Sequence, residues 1–92
     1  GKMISGAVIL RAARSGRRLV IDSDQPDAHV YTGNWLDGSP ENREGRPYRD
    51  YEGIAIEMQG VPDAPNQPGF PSQTLRPGET YRRTIRFHLL TD

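Results

Sequence analysis

An all-β fold built from short antiparallel strands is what this sequence predicts, on three observations. Apolar residues recur at every second position over several brief runs, the spacing of a strand with one covered face. No segment carries the 3.6-residue periodicity of an amphipathic helix, and no internal repeat is evident. Ten glycines and eight prolines among 92 residues gather between the apolar runs, where chain reversals are needed.

The elements follow in order. Residues 7–14 (AVILRAAR) set Val8, Leu10 and Ala12 against Ile9, Arg11 and Ala13, a strand covered on most of both faces and short for a helix. Ser15-Gly16 is a turn signal, and residues 17–23 (RRLVIDS) place Leu19 and Ile21 on one side, so the two runs are expected to form an antiparallel hairpin. Residues 24–27 read as a loop and 29–32 (HVYT) as a brief strand ended by Gly33. Residues 37–50 are polar and rich in breakers, hence a surface loop. In 53–59, Ile54, Ile56 and Met58 alternate with Ala55, Glu57 and Gln59, so one face is apolar and the other carries a carboxylate and an amide. Residues 79–90 alternate Tyr81, Ile85, Phe87 and Leu89 with polar side chains, and Arg83 interrupts the apolar side as a bulge or at a sheet rim. The runs 53–59 and 80–89 are expected as central strands, with the prolines confined to loops.

Length and composition narrow the function classes. Ninety-two residues make at most one domain. Hydrophobic residues are 34% of the chain, below the roughly 45–50% usual for globular domains even allowing for glycine, so a self-sufficient core is hard to build. Twelve basic and twelve acidic residues cancel, so no global field favours nucleic acid or an anionic membrane. Arg11, Arg14, Arg17 and Arg18 cluster around the turn; a solvated turn is the plain reading, a phosphate or RNA contact the other, without the interleaved aromatics the latter favours. The absence of cysteine excludes disulfides and thiolate chemistry. No run approaches the ~20 apolar residues of a membrane span and no signal-peptide pattern opens the chain; a cytoplasmic location and no membrane partner are expected. Asp22, Asp24 and Asp27 could suggest calcium, but Pro26 intervenes and a bidentate glutamate is missing, so no metal is expected.

One stretch is far more specific than composition. Residues 53–81 read GIAIEMQGVPDAPNQPGFPSQTLRPGETY. This resembles the C-terminal signature of the aldose 1-epimerases, roughly E-x-Q-x-x-P-D-A-x-N-x-P-x-F-P-x-x-x-L-x-P-G-E-x-Y. Tyr31-Thr32-Gly33-Asn34-Trp35-Leu36-Asp37-Gly38 resembles the family's Y-T-G-N-F-L-D-G, and Ser15-Gly16-Arg17-Arg18-Leu19 its S-G-R-x-L, with a turn trimmed by a few residues. The motifs stand in the family's order and correspond to about its last third. The resemblance implies an antiparallel β-sandwich, part of a larger mutarotase-like supersandwich, with residues 1–92 as a single β segment. It implies a hexose such as galactose or glucose as partner and no cofactor.

Glu57 occupies the position of the family's catalytic base. Mutarotation needs one group to take the proton of the anomeric hydroxyl and another to protonate the ring oxygen, and a carboxylate suits the first role when burial raises its pKa above about 4.3. The resemblance puts the acid, a histidine, in a region upstream of this segment, with further sugar-contacting residues. His29 stands where relatives often carry glutamine and His88 lies on the last strand; neither matches a catalytic motif, so both read as structural or exposed. Asn34, Trp35 and Gln59 are the candidate sugar contacts, although a lone tryptophan is more often core. Residues 62–68 form a rigid proline loop, either a scaffold or a ligand contact, in which Asp63 and Asn66 can bind nearby backbone amides. With a base but no acid, the chain alone is expected to be inactive as an isomerase. The alternative is a truncated β module that binds carbohydrate or self-assembles; either way, open sheet edges favour a homo-oligomer.

Overall fold

The computed structural model describes residues 2–92. Five strands follow in sequence: β1 (Ile4–Arg11), β2 (Arg17–Ser23), β3 (Asp27–Tyr31), β4 (Ala55–Gln59) and β5 (Ile85–Thr91). A single turn of 3₁₀ helix, Ala64–Asn66, is the one helical element among the described residues. The fold is all-β, and every strand pairing is antiparallel.

The strands form two sheets, one ordered β1-β2-β5 and one made of β3 and β4. The expected hairpin closes through residues 12–16, where Ala12 N–H donates to the Arg17 carbonyl and Gly16 N–H to that of Ala12, each at 2.9 Å. Strand β1 therefore ends at Arg11 rather than at residue 14, because three more residues than the Ser15-Gly16 signal are spent in the reversal. It also begins earlier, at Ile4, and its register against β2 shifts between Ile4 and Val8. Gly6 sits at this irregularity with φ 63°, which a side chain would resist.

The expectation of central strands at 53–59 and 80–89 is overturned. The centre of the larger sheet is β2, β5 is its edge, and β4 belongs to a two-stranded ribbon. Strand β5 starts only at Ile85 because residues 81–84 spend their polar groups elsewhere. Gln25 Nε2 donates to Tyr81 Oη at 2.9 Å, Arg83 Nε donates to Gln25 Oε1 and its guanidinium lies 5.2 Å from the Tyr81 ring centroid, and Thr84 N–H donates to Asp24 Oδ1 at 2.9 Å. Arg83 is thus a clamp between the segment after β2 and the segment before β5, not a bulge within a strand.

The core is small and sits at the C-terminal end of β2. Ile21 is fully buried, with Asp22, Ser23 and Gln25 buried after it along the chain; Ala64, in the 3₁₀ turn, is the other buried apolar side chain among the described residues. Asp22 joins all three strands of its sheet: Oδ1 accepts from Gly6 N–H and Oδ2 bonds His88 Nε2, each at 2.8 Å. The rest of the surface is unusually open. The chain exposes 7588 Å², whereas a folded monomer of its mass, 10.3 kDa, is expected to expose roughly 5,400 Å². Its radius of gyration is 16.8 Å, against about 12 Å for a compact domain of this length.

Candidate functional site

The site candidates converge on the small sheet. In the β3–β4 ladder Asp27 faces Gln59, His29 faces Glu57, and Tyr31 faces Ala55. Residues two apart on a strand share a face, so Asp27, His29, Tyr31, Ala55, Glu57 and Gln59 form one polar surface, and Ala28, Val30, Ile56 and Met58 occupy the other. Strand β4 forms because β-branched and apolar Ile54, Ile56 and Met58 alternate with that polar set until Gly60 and Pro62 end it.

Glu57 and His29 are both exposed. No hydrogen bond or ion pair engages either side chain among the described residues, so both remain open to a ligand. Directly opposed residues of an antiparallel pair stand about 4.5–5.5 Å apart at Cα. On sequence alone His29 reads as structural or exposed; it is exposed, and it stands opposite Glu57. The usable signal was the alternation shared by residues 27–31 and 55–59, which puts His29 and Glu57 on one face once the two runs pair.

Gln59 shares this face with Glu57, whereas Asn34 and Trp35 do not lie in the ladder. They follow β3 in a turn pinned by Trp35 N–H donating to Tyr31 Oη at 3.1 Å. Tyr31 lies at the Ala55 end of the face, so the turn borders the site one ladder step, about 7 Å, from Glu57 along the strand. Trp35 is 83% exposed and is therefore not a core residue. Gly33 shapes this corner. It is buried with φ 75°, accepts from Tyr51 N–H at 2.6 Å, and a Cβ there would stand 2.6 Å from the Gly53 carbonyl oxygen.

Beyond the Gln59 end, Gln25, Gly60, Gln73, Tyr81 and Arg83 line a hollow of about 270 Å³. In the proline loop the Asp63 carboxylate bonds side-chain amides rather than the backbone amides expected, accepting from Asn66 Nδ2 at 2.6 Å and from Gln67 Nε2 at 3.0 Å. The backbone N–H groups of Asn66 and Gln67 donate to the Asp63 and Ala64 carbonyls. The side-chain donors, Gln67 first, hold the Asp63 carboxyl below its ordinary range. The aspartates considered for calcium serve separately: Asp22 and Asp24 bond Gly6 and Thr84, while Asp27 lies on β3. In the arginine cluster, Arg11 pairs with Asp92 beside the hairpin turn.

The family profile of aldose 1-epimerase matches residues 5–88, nearly the whole chain. The chain belongs to the aldose 1-epimerase family. It is 45% identical over 78 residues to the galactose mutarotase of Mus musculus, covering 85% of this chain and 23% of that protein. Against the galactose mutarotase of Homo sapiens it is 47% identical over 75 residues, 82% of this chain and 22% of the relative. The aldose 1-epimerase of Escherichia coli K12 is 35% identical over 77 residues, with the same shares. The chain thus spans less than a quarter of the curated relatives it matches. No solved structure matches it. No helix among the described residues is long and apolar enough to cross a membrane.

Proposed function

We propose that this chain is the C-terminal portion of an aldose 1-epimerase acting on free hexoses of the galactose or glucose class, with Glu57 as the catalytic base. The observation that carries the reading is the unengaged Glu57 carboxylate, exposed on the polar face of β4 within the matched family segment. Its carboxylate takes the proton of the anomeric hydroxyl as the C1–O bond to the ring oxygen breaks and an acid supplies a proton to that oxygen. Rotation about C1–C2 of the open aldehyde and the reverse proton transfers then close the other anomer. Ala55 leaves space beside the base, Gln59 and Asn34 offer amides to sugar hydroxyls, and exposed Trp35 offers a flat apolar surface to a pyranose ring. The acid belongs to another region of the intact enzyme. The chemistry is proton transfer and needs no organic cofactor or metal; a cytoplasmic location belongs to the same proposal.

The test is a chimera in which this chain replaces the matched segment of the mouse galactose mutarotase. Polarimetry of freshly dissolved α-galactose is expected to show mutarotation well above the buffer rate. A folded but inactive chimera contradicts the reading.

A second reading, favoured by the surface excess of roughly 2,200 Å², is a β module without catalysis that assembles with copies of itself.

A further inference from the structure

We propose that β5 is the edge through which two copies of this chain pair, antiparallel, about a two-fold axis at His88. The inference rests on the self-association reading and names its contact.

The open strand edges are not equivalent. Strand β1 is made irregular by its register shift near Gly6, a device that discourages pairing. Strands β3 and β4 are five residues each. Strand β5 keeps unbroken register with β2 over all seven of its residues, contains no proline, and is exposed along its whole length. A regular, unprotected edge with apolar side chains is a template for another strand.

The sequence of β5 is self-complementary in that arrangement. His88 is its midpoint, so an axis there overlaps all seven residues. Phe87 then meets Leu89 of the second copy, Ile85 meets Thr91, and Arg86 meets Leu90 rather than another arginine. Phe87 and Leu89, 62% and 82% exposed, lie on the same face as Leu19 and Ile21 of β2, so pairing extends an apolar surface across six strands. A hollow of about 450 Å³ lined by Leu10, Leu19, Leu89 and Leu90 adjoins the same edge. The excess exposed area is ample for a standard interface, which needs about 800 Å² per partner. A two-fold pairing also closes on itself and leaves no β5 edge for a third copy.

Light scattering of the 92-residue chain tests the association and cysteine variants test the contact. The expected mass is twice the 10.3 kDa of the chain. Because Leu89 is mostly exposed, L89K leaves the circular dichroism of the protomer unchanged while weakening the dimer about tenfold or more, as a charge set against Phe87 must. The chain has no cysteine, so single-cysteine variants report register. H88C places two thiols about 4.5–5.5 Å apart at Cα, within disulfide reach, and cross-links on oxidation. I85C sets its thiols at opposite ends of the paired strands and does not. A monomer at millimolar concentration overturns both the self-association reading and the proposal. A dimer that is indifferent to L89K and cross-links no better through H88C than through I85C overturns the β5 contact alone.

Discussion

Replacing Ile21 by valine removes one methylene from the only large apolar side chain fully buried among the described residues. The site lies on the central strand, between Val8 of β1 and Phe87 of β5, so neighbours on both sides lose contact with the deleted group. Transfer of a methylene accounts for about 0.8 kcal/mol, and incomplete closure of the gap brings Ile→Val substitutions to about 0.5–1.5 kcal/mol. For a domain of this length each kcal/mol moves the midpoint by about 4–8 °C, so I21V should lower Tm by roughly 2–12 °C. The matched control is I9V. It deletes the same group from a residue 62% exposed in the same sheet, where changes stay within about 0.5 kcal/mol. Thermal unfolding followed by circular dichroism, at one fixed protein concentration because association shifts Tm, compares the two. Equal shifts in I21V and I9V, or an unshifted I21V, would refute the placement of the core at Ile21.

Three further outcomes are expected. G33A should destabilise the chain by about 1–2 kcal/mol from its left-handed backbone alone, with the 2.6 Å approach of a Cβ to the Gly53 carbonyl adding to it; urea unfolding measures the loss. Asp22 and Asp24 have carboxyls held below the ordinary 3.8, chiefly by the backbone N–H groups of Gly6 and Thr84 respectively. Depressed folded-state pKa values mean that this stabilisation is present above about pH 4 and is lost as pH falls through the lowered values. The acid limb of the Tm–pH profile should therefore flatten in D22N and D24N relative to the parent chain. Purified 92-residue chain should leave the mutarotation of α-galactose at the buffer rate in polarimetry, since a base without its acid and without substrate-holding groups lacks both the paired proton transfer and the proximity effect.

How much could be read in advance differed by region, for physical reasons. The bounds of β2 were legible because a turn signal precedes a run whose alternation continues to its last residue. The start of β5 was not, because Tyr81 and Thr84 keep strand-like spacing while their hydrogen bonds go to Gln25 and Asp24, side chains 56 and 60 residues away. The carboxylate and amide on one face of β4 followed from period 2, and Glu57 and Gln59 do share that face. The partnership of His29 with Glu57 depends on which strand pairs with which, and nothing local in HVYT specifies that. Trp35 could be judged core or surface only once the turn at Gly33 was built, since a lone aromatic carries no periodicity.

The role of Glu57 is tested most directly by E57Q in the mouse mutarotase chimera, assayed by polarimetry. Glutamine keeps the shape and the hydrogen bonding of the side chain but cannot accept the anomeric proton. The account predicts that kcat falls about 10²–10⁴-fold, the contribution of one positioned general base, while KM stays within a few-fold of the unmutated chimera. A chimera that keeps its full kcat with E57Q would contradict the assignment of Glu57 as the base.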